Sequence, residues 1–134
     1  MWALGSRTIL FVENRNYFYR RIKMFYKSTD DNFREVLKGI TIKTLVFGEK
    51  MLFSEFHMEK DSRLPLHSHP QEQTGRLIKG RILLSIGNEK SEMKPGDCWS
   101  IPSNTEHGAE ILEESIAIEV FSPVREDYLQ YFPK

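Results

Sequence analysis

Cysteine is nearly absent from this chain of 134 residues, and neither sign of charge is in excess. The single cysteine, Cys98, excludes an internal disulfide and is compatible with a reducing cytoplasm. The 19 basic side chains balance the 19 acidic ones, so no overall charge directs the chain to nucleic acid or to an anionic membrane. We therefore expect a cytoplasmic protein without a nucleic-acid partner.

Long apolar segments are also missing. No run approaches the roughly 20 residues that a membrane span needs. The start of the chain is basic and aromatic, without the apolar stretch and small-residue cleavage site of a signal peptide. A length of 134 residues with 40% hydrophobic residues fits one globular domain. These features predict a single domain without a membrane partner.

The charge is unevenly distributed along the chain. Residues 1–27 carry six basic residues and one acidic residue, whereas residues 28–134 carry 13 basic and 18 acidic residues. Three interpretations of the start remain open: an extra edge strand and arm, a basic tail that contacts a partner, or a start codon chosen too early, with Met24 as the alternative. We favour a structural or artefactual role, and divide the chain into an N-terminal extension, 1–28, and a barrel domain, 29–134.

Short strand-like segments separated by Gly, Pro and Asn follow from residue 36 onward. The predicted strands include residues 40–47, 50–58, 74–80, 81–87, 90–93, 98–102, 107–112 and 115–121. This regular spacing predicts an all-β sandwich or barrel. Only residues 29–38 and 125–132 are candidates for short helices.

The segment LPLHSHPQEQTG contains the most informative pattern. His67 and His69 are two apart, so on a strand both imidazoles project from the same face. Gln73 has the same parity, and His107 comes from a separate segment that could complete the set. Three neutral imidazoles and an amide oxygen would form an open metal site. The nearest carboxylate, Glu72, is the alternative ligand if the chain bulges after Pro70, and alternation favours Gln73.

The spacing of these residues resembles the two motifs of the cupin family. The first appears as His67-Ser-His69, three residues, Gln73, six residues, Gly80. The second appears as Gly96, five residues, Pro102-Ser-Asn104, two residues, His107. The resemblance covers roughly residues 36–124. It implies a cupin double-stranded β-helix, or jelly-roll barrel, with short N-terminal and C-terminal extensions, and a homodimer.

Four positions depart from the family pattern. Asp61 and Asn104 replace glycines, Gln73 replaces a glutamate, and Ile111 replaces a closing asparagine. The change to asparagine is mild, because this residue also tolerates left-handed backbone geometry. The change at Gln73 alters the chemistry, because all four predicted ligands become neutral.

Three segments, HSHPQEQTG, PGDCWSIPSNTEH and IEVFSPVREDYL, resemble a subgroup of small cupins. It includes the pectin-degradation cupins that convert 4,5-unsaturated uronates to their linear keto form. This resemblance implies one divalent metal per chain on His67, His69, Gln73 and His107. It also implies catalytic roles for Glu119, which replaces the subgroup's aspartate, for Phe121 and for Arg125.

Neutral ligands leave a divalent ion its full charge, which favours Lewis-acid chemistry and disfavours the two-histidine, one-carboxylate iron site of oxygenases. We expect Ni, Zn or Mn, with Fe and Co as alternatives. In this hypothesis Arg125 pairs with the carboxylate of a small-molecule substrate. Glu119 moves a proton during ring opening and ketonisation. Phe121 walls the pocket.

Other functions remain open at this point. The chain could be a binding or sensor cupin without turnover, a metal-dependent dioxygenase, or a structural dimer with a vestigial site. Glu119 could simply face solvent, and Arg125 could pair with Glu126, Asp127 or Glu119. We interpret His57 as structural and Cys98 as a buried small residue. Trp99 is expected to pack in the barrel or at a dimer interface.

Overall fold

The computed structural model describes residues 8–13, 16–21 and 23–133. Within these ranges the chain forms ten strands and one 3₁₀ helix. The strands are β1 (Thr8–Glu13), β2 (Asn16–Arg21), β3 (Arg34–Leu37), β4 (Ile40–Phe47), β5 (Leu52–Met58), β6 (Arg63–His67), β7 (Glu72–Ile86), β8 (Glu89–Met93), β9 (Cys98–Ile101) and β10 (His107–Ser122). The 3₁₀ helix spans Glu126–Tyr131. The all-β class predicted from the sequence is confirmed.

The eight strands from β3 through β10 pair antiparallel in one large sheet. Its order is β3-β4-β5-β10-β7-β8, while β6 pairs with β10 and β9 pairs with β7. Because β10 contacts β5, β6 and β7, it brings segments distant in sequence to a common centre. In the described part of the chain, β1 pairs with β2 in a two-stranded sheet that is separate from the large sheet, so the extra strand considered for the start of the chain pairs with β2.

Two pairs of predicted strands are in fact single, bent strands. Residues 74–80 and 81–87 lie largely within β7, and the two segments after residue 106 are joined in β10. The register between β7 and β10 shifts on both sides of Glu113, which marks the bend. Gly80 adopts a positive φ of 90° there, and a Cβ on it would collide with Ser115. The glycine that suggested a turn therefore permits close packing within a continuous strand.

One helix prediction is wrong and the other is confirmed. Within residues 29–38 the chain forms strand β3, because Gly39, with φ of 78°, turns the chain so that β3 pairs with β4. The C-terminal segment forms the 3₁₀ helix inside the predicted range of 125–132.

Alternating burial along the strands creates the core. The most deeply buried apolar side chains are Ile40, Ile42, Leu52, Leu77, Ile101, Ile111 and Phe121. The same inward alternation buries the polar side chains of Gln73, His107 and Glu119, so the pleat directs them to the barrel interior with the apolar core. His69, in the loop before β7, is buried as well. Among the described residues, no helix combines the length and apolarity that crossing a bilayer requires.

Candidate metal centre

Three imidazoles meet at one end of β6 and β10. His67 is the last residue of β6, and it pairs in register with His107, the first residue of β10. His69 follows in the loop before β7. One ring nitrogen from each of the three histidines lies within 4.8 Å of the corresponding nitrogens of the other two. The cluster therefore has the composition and proximity of a metal site.

A short hydrogen bond fixes each imidazole ring. The three Nδ1 atoms lie close to backbone carbonyl oxygens: His67 to Pro65 at 2.8 Å, His69 to Gln71 at 3.0 Å, and His107 to Thr105 at 2.8 Å. Because a carbonyl oxygen only accepts, each Nδ1 must carry the proton and donate it. Each Nε2 is then unprotonated, and its lone pair is available to bind a metal ion.

Burial keeps two of these imidazoles neutral. His69 and His107 are 9% and 4% exposed, and His67 is more exposed than either. Removal from water lowers the pKa of His107 to about 4, and it also lowers the pKa of His69, with Arg125 adding to both effects. Among the described residues, the buried His107 Nε2 has no hydrogen-bond partner. A buried lone pair without a donor fits a cation.

Gln73 adds an oxygen to the cluster. Its side chain is buried, and its Oε1 lies 3.0 Å from His69 Nε2, whereas the side chain of Glu72 is exposed on the opposite face of β7. In the tautomer described above, both of these facing atoms are acceptors and no proton lies between them. A cation bound by both would relieve this contact, so the amide fits the metal site as the imidazoles do.

The other end of the Gln73 amide contacts a buried carboxylate. Gln73 Nε2 donates to Glu119 Oε2 at 2.7 Å, and Trp99 Nε1 donates to the same carboxylate at 3.2 and 3.3 Å. Burial raises the pKa of Glu119 to about 8, although both donors oppose this shift. Glu119 therefore points into the barrel. The sequence alone pointed to packing for Trp99, because its contact with Glu119 depends on strand pairing.

A cavity of about 40 Å³ brings the imidazole cluster together with the C-terminal residues. Among the residues that line it are His67, Gln73, His107, Glu119, Phe121 and Arg125. The Arg125 guanidinium lies 3.7 Å from the Tyr128 ring centroid and 5.1 Å from that of Phe121. Arg125 also donates to Asp127 at 2.8 and 3.2 Å, one of three partners considered from the sequence. The 3₁₀ helix adds Tyr128, which the sequence motifs did not indicate, to the cavity wall.

The two replaced glycines lie in loops with left-handed backbone. Asp61 has φ of 68° and Asn104 has φ of 60°, so both adopt the conformation that glycine serves most easily. The expectation that asparagine tolerates this geometry is confirmed. The Asn104 backbone N–H donates to the His69 carbonyl oxygen at 2.8 Å, which ties the loop before His107 to the loop that contains His69.

Two residues interpreted as structural lie outside the cluster. His57 contacts Glu55 at 2.8 Å and packs its ring against Phe33, consistent with that interpretation. The prediction that Cys98 is buried is wrong, because its thiol is exposed. In β9 the alternation turns Trp99 inward and therefore turns Cys98 to solvent.

Comparison with known proteins agrees with this architecture. Residues 54–122 match the Cupin domain family. The pectin degradation protein KdgF of Dickeya dadantii is 27% identical over 110 residues, which cover 81% of this chain and all of that protein. An uncharacterized protein of Methanocaldococcus jannaschii is 32% identical over 93 residues, 69% of this chain and 71% of that protein.

Solved structures give the same result. KdgF from Halomonas sp. superimposes with a TM-score of 0.74 at 27% identity, covering 78% of this chain and 98% of that one. An RmlC-like cupin from Shewanella frigidimarina has a TM-score of 0.75 at 21% identity, covering 80% and 96%, which supports the fold alone. The chain therefore belongs to the Cupin domain family and has the all-β cupin fold.

Proposed function

We propose that this cupin is a metal-dependent enzyme that opens and ketonises a small unsaturated sugar acid without a redox change. One observation carries the proposal: Glu119 and Arg125 line the same cavity as His67, Gln73 and His107. An acid–base group, a cation for a carboxylate and a candidate metal site therefore surround one small space. The similarity to the pectin degradation protein KdgF supports this choice of substrate class.

Four neutral side chains would hold the metal: His67, His69, Gln73 and His107. When bound, a divalent ion would polarise a substrate oxygen as a Lewis acid. Imidazole nitrogen with an amide oxygen suits Ni, Zn or Mn, and Fe and Co are the alternatives. The neutral set disfavours the dioxygenase alternative, because it lacks the carboxylate of the usual non-haem iron site.

Arg125 is the group that would anchor the substrate carboxylate. Its guanidinium is held against the Tyr128 ring and is paired with Asp127. A guanidinium has five N–H donors, and the Asp127 contacts use two of them. The remaining donors can bind a carboxylate, while the ring of Phe121 forms an apolar wall of the same cavity.

Glu119 is the group that would move the proton. In the proposed reaction the anomeric hydroxyl loses a proton, the bond from the anomeric carbon to the ring oxygen breaks, and the ring oxygen gains a proton, which gives an aldehyde and an enol. The enol then loses its hydroxyl proton and gains one on carbon, which gives the ketone. The Glu119 carboxylate can accept and return these protons, so the reaction is an isomerisation that needs no oxidant.

The proposal is tested by following the ultraviolet absorbance of a 4,5-unsaturated uronate with protein purified without a histidine tag and loaded with one divalent ion. We expect wild type to accelerate the loss of absorbance, His67→Ala and Arg125→Met to lose the acceleration, and His57→Ala to retain it as the matched histidine control. Metal binding without any acceleration would contradict the reaction and favour a binding or sensor role.

We further propose the assembly, location and division of the chain. By resemblance to other small cupins we infer a homodimer, and from the single cysteine a cytoplasmic location, with residues 1–28 as an extension of the barrel domain at 29–134. Light scattering on the full chain and on a chain that starts at Met24 would test both the assembly and the dispensability of the extension. A monomeric full chain would contradict the dimer, and failure of the shorter chain to fold would contradict the division.

A further inference from the structure

Gln73 is held by a row of residues that crosses three neighbouring strands. Glu119 on β10 pairs in register with Gly75 on β7, and Gly75 pairs with Trp99 on β9. Trp99 and Glu119 are therefore two strands apart, with Gly75 between them. Even so, the indole Nε1 donates to both oxygens of the carboxylate, at 3.2 and 3.3 Å.

Gly75 makes this contact across two strands feasible. A Cβ on Gly75 would collide with Trp99 Nε1 and with Glu119 Oε2. Only a hydrogen fits in that space, so the indole reaches over the glycine to the carboxylate. Any side chain at position 75 would force the indole and the carboxylate apart, because both occupy the volume that a Cβ needs.

The carboxylate in turn decides which way the amide points. Glu119 Oε2 accepts from Gln73 Nε2 at 2.7 Å, so the opposite end of the same amide, Oε1, is directed to His69 Nε2. When Glu119 is deprotonated, turning the amide over would place its oxygen against the carboxylate and its N–H₂ against the imidazole cluster. An amide nitrogen has no lone pair to offer a metal, so that orientation would remove one donor from the site.

We propose that Trp99 and Gly75 are positioning residues that act through Glu119 to keep the amide oxygen of Gln73 directed at the three imidazoles. The inference rests on the metal site proposed above. It assigns Glu119 a role in metal binding that is separate from proton transfer. If Glu119 only moved a proton and Trp99 only packed, neither side chain would influence the metal.

The test measures Zn²⁺ affinity by competition with a chelator and records the visible absorption of the Co²⁺-loaded protein, which reports the ligands around the ion. Loss of an outer hydrogen-bond partner typically weakens metal binding by about 10- to 100-fold. We expect Glu119→Met, which removes the acceptor, to fall in this range and to change the Co²⁺ spectrum. We expect roughly tenfold weaker binding for Trp99→Phe and for Gly75→Ala, at the low end of that range.

Two further variants separate positioning from general damage. Glu119→Gln keeps an oxygen that can accept from Gln73, so it should retain most of the affinity and the wild-type Co²⁺ spectrum. Ser115→Ala removes buried hydrogen bonds on the same strand, including the 2.7 Å bond to the Glu113 carbonyl oxygen, without touching the cluster. It should bind Zn²⁺ as wild type does, even if thermal unfolding of the metal-free protein shows a lower Tm.

The outcomes are distinguishable. Wild-type affinity and an unchanged Co²⁺ spectrum in both Glu119→Met and Trp99→Phe would overturn the inference and leave the metal site intact. An effect of Glu119→Met alone would overturn the role assigned to Trp99 and Gly75. If wild type bound neither Zn²⁺ nor Co²⁺, the proposed metal site would be wrong and the inference with it.

Discussion

The candidate site has two parts whose side chains are oriented in different ways. The imidazole side consists of His67, His69 and His107, and the amide side is Gln73. Each of the three histidines is fixed by a carbonyl oxygen only two residues away in sequence. Gln73 instead depends on Glu119, which is 46 residues away, and Glu119 depends on Trp99, which lies 20 residues before it in sequence. Local backbone geometry therefore fixes the histidines, whereas assembled strands β7, β9 and β10 fix the amide.

This difference has a consequence for stability and tolerance to mutation. A local hydrogen bond forms wherever its loop keeps its conformation, so the imidazoles depend on turns such as the one at Asn104. The amide depends on strand register, and a register error of one residue would turn the Gln73 side chain to the other face of the sheet. Changes in the core should therefore affect the amide side more than the imidazole side.

The largest expected effect is on the free energy of unfolding, at Phe121, which lies beside the amide side. Phe121 is fully buried, pairs in register with Gln73 and packs against the rings of His69 and Tyr128. Phe121→Ala should lower the free energy of unfolding by about 3–5 kcal/mol, because it leaves a cavity. Urea unfolding of the metal-free protein measures this, and a loss below about 1 kcal/mol would show that the site can collapse around the gap.

Removing an imidazole should have the next largest effect. His107→Ala deletes a predicted ligand whose Nε2 is buried without a partner among the described residues. Zn²⁺ affinity measured by calorimetry should fall by more than the roughly 100-fold that loss of an outer partner can cost. The Tm of the metal-free variant should also fall, because the substitution removes the Nδ1–H bond to the Thr105 carbonyl oxygen and leaves a gap at a buried position. Affinity equal to wild type would remove His107 from the ligand set.

A smaller effect is expected in the loop that precedes His107. Asn104 has a positive φ and its N–H donates to the His69 carbonyl oxygen. Asn104→Gly should leave stability unchanged or slightly higher, while Asn104→Ala should cost about 1 kcal/mol, because alanine pays the full penalty of left-handed backbone. Thermal unfolding of the two variants side by side measures the difference. Equal stability of both would show that the loop adopts another conformation.

The smallest expected effect is at the histidine outside the cluster. His57 pairs with Glu55 in a contact where the two side chains are 42% and 29% exposed. Solvent screens such pairs, so His57→Ala should cost about 1 kcal/mol or less. Zn²⁺ affinity should equal that of wild type in the same titration used for His107→Ala. A weaker affinity would mean that metal binding depends on general stability and not on the cluster.

Sequence reasoning found the imidazole side because its information is local. Strand alternation predicted that His67 and His69 lie on one face, but β6 ends at His67 and His69 lies in the loop that follows. The spacing to Gln73 and His107 matched a known pattern, so the candidates could be named from the sequence. The role of Trp99 could not be found this way, since it follows from which strands lie on either side of Gly75. The continuity of the bent strands β7 and β10 could not be predicted for the same reason. Gly80 alone indicates a turn, and only its packing against Ser115 shows that the strand continues.

The most direct test of the account is an anomalous difference map from crystals of the tag-free protein soaked with Zn²⁺. We expect one peak per chain at bonding distance, about 2.0–2.2 Å, from the three imidazole Nε2 atoms and from Gln73 Oε1. We also expect that Gln73 Nε2 still contacts Glu119. A peak elsewhere, or a peak on the imidazoles with the Gln73 amide turned away, would contradict the proposed division between a locally fixed imidazole side and a register-fixed amide side.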